Sequence, residues 1–104
     1  MTTHPWIGKY VIVRCRDAGV HSGVLEWAEG RECRLSESRR LWYWEAKDKD
    51  FLSGVAIHGL TDRSKLGHPI DIHLTENCEI ILATDDAEKS IRKIPDHIHK
   101  DRNK

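Results

Sequence analysis

The chain has no surplus of either charge: Lys+Arg and Asp+Glu both number 17. That excludes a global field able to draw it onto DNA or an anionic membrane, so any anion site must be local. Its three cysteines, Cys15, Cys33 and Cys78, are odd in number and include no C-x-x-C pair. This argues against both a disulfide framework and a zinc knuckle, and for reduced thiols. No stretch approaches the roughly 18 apolar residues needed to span a bilayer, and the opening MTTHPWIGKY has no basic segment followed by an apolar run. A soluble, cytoplasmic protein is expected.

Catalytic signatures are missing as well. Ser36, Ser38, Ser53, Ser64 and the cysteines are potential nucleophiles, yet none lies in a glycine-rich elbow, and neither a P-loop nor a paired-carboxylate motif occurs. The seven histidines include His97 and His99, with His68, Asp71 and His73 upstream, but no spacing matches a pattern such as H-E-x-x-H. No enzyme activity, metal site or cofactor is expected. No internal repeat is present at any useful period.

What the chain does contain is one domain's worth of residues, 104, of which 38% are hydrophobic and 33% charged. The core must therefore be small, and oligomerisation is a plausible second source of burial. One domain over 1–104 is expected, packed from about 6 to 95, with a charged, flexible tail over 96–104. KYVIVRCR reads as a strand with Tyr10, Ile12 and Arg14 on one face and Val11, Val13 and Cys15 on the other. A turn at Gly19 leads to a second strand whose Gly23 suggests a bulge. A connection at Gly30 leads to a third strand in ECRLSES, and RRLWYWEA reads as a fourth. The period then changes over Asp48 to Gly59, predicting a short helix with Asp48 or Asp50 as N-cap and Gly59 as stop. TDRSKLGHP reads as loop, IDIHL and CEIILAT as strands, and DDAEKSIRKIP as a closing helix with an acidic first turn and a basic last one. The fold class is mainly β (α+β): a small, strongly bent antiparallel sheet or barrel with one or two short helices.

The most informative stretch is RRLWYWE, residues 39–45. Strand alternation puts Arg40, Trp42 and Trp44 on one face and Arg39, Leu41, Tyr43 and Glu45 on the other. Two tryptophans beside an arginine can stack a planar ring and pair a phosphate or carboxylate. They can equally fill a core or a subunit interface, where aromatics and Arg are enriched. His21, between Gly19 and Gly23, is a second ligand candidate, against the plainer role of a satisfied turn residue.

The segments GKYVIVRCRDAGVHSGVLE, RLSESRRLWYWE and ENCEIILAT resemble a family of small uncharacterised proteins of tailed phages and prophages, over roughly residues 8 to 94. The resemblance implies a phage or prophage origin and no particular activity. Two features depart from the family's pattern: the charged EAKDKDFLSG after the W-Y-W element, where relatives run into small residues, and the histidine-rich tail. Small β-rich phage proteins of other families sequester nucleotide immune signals in oligomer pockets, and by that analogy a homo-oligomeric, non-enzymatic anti-defence sponge is expected here. Its site would comprise Arg39 or Arg40, Trp42, Trp44 and His21. The alternatives are a module that binds a host protein through an exposed aromatic patch, and local single-stranded nucleic-acid binding along Arg14, Arg16, Arg34, Arg39 and Arg40.

Overall fold

β-Branched and aromatic runs broken by glycine turns build most of the molecule. The computed structural model describes residues 4–47 and 51–97. In chain order the elements are β1 (Tyr10–Cys15), β2 (Gly19–Glu29), β3 (Glu32–Tyr43), α1 (Leu52–His58), β4 (Lys65–Leu66), β5 (Ile70–Leu74), β6 (Asn77–Leu82) and α2 (Asp85–Lys93). The six strands form one antiparallel sheet, ordered β4-β3-β2-β1-β6, with β5 also on β3. The domain is therefore mainly β, α+β in class. Its sheet is open, so of the two expected forms the closed barrel is set aside.

The turns behave as their glycines dictate. Gly19 and Gly30 take φ of 84° and 59° between adjacent antiparallel strands, a region where a Cβ is strained. The expected third and fourth strands are one strand, β3, because the break between them is a bulge and not a turn. Ser22 pairs with Arg39 and Val24 with Ser36, so Gly23 alone faces the two residues Glu37 and Ser38. Glu37 sits at φ 51°, and a Cβ on Gly23 would lie 3.0 Å from the Ser36 carbonyl oxygen and 3.1 Å from Ser38 Cα. Such a bulge bends its strand and reassigns its faces. Before it, Cys33 and Leu35 point to one side of the sheet; after it, Leu41 points to the other.

Two cores result, one on each side of the central strand β1. Tyr10 and Ile12 pack with Leu41, Leu60, Leu66, Val55 and Ile91 beneath the helices. Val11, Val13 and Cys15 pack with Leu25, Cys33, Leu35 and Leu74 on the opposite side. Each fully buried aliphatic side chain here contributes about 1.5–3 kcal/mol. Helix α2 starts on the Thr84 side chain, which accepts from the Ala87 N–H at 3.1 Å. Its Arg92 lies over the Tyr10 ring at 4.9 Å and donates to Glu37 at the bulge. Helix α1 stops at Gly59 as expected, where φ is 90° and a Cβ would collide with Ser90. The expected N-caps, Asp48 and Asp50, lie outside the described residues, as do His99 and the rest of the tail from residue 98. The packed chain runs two residues past Pro95: Asp96 bridges to Leu66, and the His97 N–H donates to the Leu66 carbonyl at 2.8 Å.

Candidate functional site

Folding takes the RRLWYWE cluster apart. Arg39 is 3% exposed, and its guanidinium is committed on three sides: Nε to the Gly67 carbonyl at 3.0 Å, one η-nitrogen to the Ile91 carbonyl at 2.7 Å and the other to Asp96 at 3.0 Å. It ties β3 to the end of α2 and the segment beyond it. Arg40 projects to the opposite face, is exposed and forms no ion pair among the described residues. Trp42 is 57% exposed, and its ring lies 6.2 Å from that of His97. It is also the extra residue of a second bulge, since Leu41 pairs with Leu66 and Tyr43 with Lys65. That extra residue ends the alternation: Tyr43 is 52% exposed, and Trp44 turns in to pack on the helix-side core. Trp42 and Trp44 therefore do not share a face, contrary to simple strand alternation.

His21 does lie beside Arg40, as its direct partner across β2 and β3. It is 1% exposed, however, and its Nε2 donates to the Ala18 carbonyl at 2.9 Å. Burial holds its pKa below the usual histidine value, with the nearby Arg40 charge acting in the same direction. In this state it is a neutral side chain that pins the turn. The arginine strip is similarly thinned: Arg14 donates to Glu79 at 2.6 Å, Arg16 faces Glu76 at 4.0 Å and Arg39 is buried. Among the described residues, Arg34 and Arg40 are left with cationic groups that no carboxylate neutralises.

A second aromatic and basic cluster lies at the other end of β3. Trp27, Arg34 and His73 are direct cross-strand partners on β2, β3 and β5. The Arg34 guanidinium lies over the Trp27 ring at 5.2 Å, and its Nε donates to His73 Nδ1 at 3.0 Å. The imidazole then carries its proton on Nε2, which faces Glu32 at 2.8 Å. Beside this row opens a groove of about 440 Å³ lined by Glu26, Arg34, Ser36, Asp71, Ile72 and neighbouring atoms. Two other concavities lie near Trp6 with Asn77 and near Tyr10 with Arg92. None of these three is lined by His21, Arg40, Trp42 or Trp44.

The family described as "Domain of unknown function (DUF6948)" matches residues 8–91. The chain belongs to the DUF6948 family. No curated protein and no solved structure matches it. In this DUF6948 domain the match spans both ends of β3, and with them both clusters. Its buried thiols are unsuited to nucleophilic work: burial pushes Cys15 up to about 11 and raises Cys33 as well, so both stay protonated near neutrality. Among the described residues no three His, Cys, Asp or Glu side chains gather to hold a metal ion, and no helix is long and apolar enough to cross a membrane. Sequence reasoning overlooked the Trp27 row because its members are 7 and 39 residues apart along the chain. The available signal was register: pairing the second strand with the third and the third with IDIHL aligns the three side chains.

Proposed function

We propose that this DUF6948 protein is a non-enzymatic binder of a nucleotide-like small molecule, stacked on Trp42 and paired through its phosphate with Arg40. One observation carries the reading: an exposed indole and a guanidinium that has no carboxylate partner among the described residues project from neighbouring positions on one strand end. Such a pair offers stacking together with a bidentate fork. Arg39 enters as the brace that fixes this strand end, and His21 as the buried support beside Arg40. The resemblance to tailed-phage proteins supports sequestration of a host immune signal as the purpose, with a homo-oligomer supplying the second wall of the site. Titration with cyclic dinucleotides and cyclic ADP-ribose isomers, followed by tryptophan fluorescence, is the test. A response that disappears in Trp42→Ala and Arg40→Ala is expected; silence from the folded wild type across the panel overturns the reading.

A second reading rests on a different observation. Trp42, Tyr43 and Phe51 are 57%, 52% and 81% exposed, and exposed aromatic surface of this kind suits contact with a host protein. Pull-down from host lysate separates the two. A stoichiometric protein partner lost with Trp42→Ala favours this alternative, whereas a small molecule released by heat favours the first.

A further inference from the structure

Arg34 and Asp71 line the same groove with opposite charges that do not meet. Among the described residues Arg34 uses only Nε, on His73, leaving both η-nitrogens free, and Asp71 makes neither a hydrogen bond nor an ion pair. His73 sits directly opposite Arg34, and Asp71 is two residues back along β5. Arg34 and Asp71 are thus diagonal neighbours, a relation that separates residues by about 7–8 Å and lies within reach of long side chains. Ile72 also lines the groove, although its side chain packs on the core of the sheet's other side, and Glu26, which accepts from the Ser36 hydroxyl at 2.6 Å, adds a second carboxylate to the lining.

The guanidinium is also held in place before any ligand arrives. Trp27 covers one face at 5.2 Å, and His73, backed by Glu32, holds Nε. What remains is the outward fork of two η-nitrogens, the geometry that grips a carboxylate with two parallel bonds. Little rotamer freedom is left to lose on binding. Two carboxylates against one guanidinium make the groove hostile to a polyphosphate or a nucleic-acid backbone, through like-charge repulsion. They suit a ligand that brings a cation of its own.

We propose that this groove binds a small zwitterion of amino-acid or dipeptide type, with its carboxylate on the Arg34 fork and its ammonium on Asp71 and Glu26. The site is separate from the Trp42 end of β3 and does not depend on the nucleotide reading. Titrating the full chain with the dipeptide glycyl-leucine, followed by two-dimensional amide NMR, tests it. The expected result is movement of the Trp27 indole and the Asp71 and Ile72 amides, with the Trp42 indole still. Acetylating the dipeptide's amine, amidating its carboxylate, or introducing Arg34→Gln or Asp71→Asn each weakens binding about tenfold or more, since each deletes one charge-assisted contact. Absence of any shift in the wild type overturns the proposal. So do equal binding of the blocked dipeptides or shifts centred on Trp42. The blocked dipeptides act on the wild-type chain, so they decide the matter even if a variant fails to fold. Cyclic dinucleotide binding that persists in Arg34→Gln leaves the Trp42 reading standing whichever way this test falls.

Discussion

The two ends of β3 treat the same kinds of residue in opposite ways. Beyond the Glu37 bulge, residues adjacent in sequence are dispersed: Arg39 goes into the protein, Arg40 and Trp42 go out, and Trp44 turns back onto the helix-side core. Before the bulge, residues distant in sequence are gathered: Trp27, Arg34 and His73 form one row across three strands. A strand separates its own neighbours onto two faces and brings together whatever its partners place opposite them. A cluster read along a strand is therefore evidence of composition; a cluster read across strands is evidence of a site.

The sharpest way to break this comparison is to remove the brace at the dispersed end. Arg39→Ala removes three hydrogen bonds at once, to the Gly67 and Ile91 carbonyls and to Asp96, and is expected to cost about 3 kcal/mol in denaturant unfolding. The adjacent Arg40→Ala should stay within about 0.5 kcal/mol of wild type, because Arg40 is exposed and forms no ion pair among the described residues. Equal effects of the two substitutions would show that the division of faces is wrong.

The hinge between the two ends comes next. Gly23→Ala drives a Cβ against the Ser36 carbonyl and Ser38 Cα, both backbone atoms, and is expected to cost about 2 kcal/mol. Amide hydrogen exchange should locate the loss of protection at Ser36 to Arg39, with the β1–β6 pairing retained. A loss spread evenly over the sheet would contradict a local bulge.

His21 offers a smaller, pH-dependent effect. Its folded pKa lies below the ordinary value of 6.5 because of burial, so on acidification the unfolded chain takes up the proton first. That uptake stabilises the unfolded state. His21's contribution is thus neutral above about pH 6.5, and stability falls as pH drops below it. The drop in Tm between about pH 7.5 and 5.5 should shrink in His21→Gln, which has no proton to take up in that window. An unchanged drop would assign the pH dependence to other groups.

The smallest effect belongs to the gathered end. His73→Ala removes one exposed hydrogen bond to Arg34 and one to Glu32, and should cost less than about 1 kcal/mol. It should nevertheless free the Arg34 side chain, visible as sharpened, averaged Arg34 Nε signals in NMR. A rigid guanidinium in that variant would mean that Trp27 alone positions it.

Much of the fold was legible from local pattern. The alternation in KYVIVRC, the turns at Gly19 and Gly30, the stop at Gly59 and the acidic-to-basic run of α2 depend on contacts within a few residues, and each appears where expected. The division of ECRLSES from RRLWYWEA into two strands was not sound, because a bulge and a turn present similar composition when only one strand is in view. The two-residue β4 inside TDRSKLGHP was missed for a related reason: its pairing with Leu41 and Tyr43 is entirely long-range.

The sequence by itself determined the class of fold, the order of most elements and the alternating faces of β1, since backbone preference and hydrophobic period act over a few neighbouring residues. Only the tertiary structure decided that Arg39 is a buried brace, that Trp42 and Trp44 part company and that Trp27, Arg34 and His73 meet. The physical reason is register. A one-residue bulge at Glu37, accommodated by the missing side chain of Gly23, moves every later residue of β3 to the other face, and which residues stand opposite one another along that strand is set by pairings up to 41 positions away along the chain.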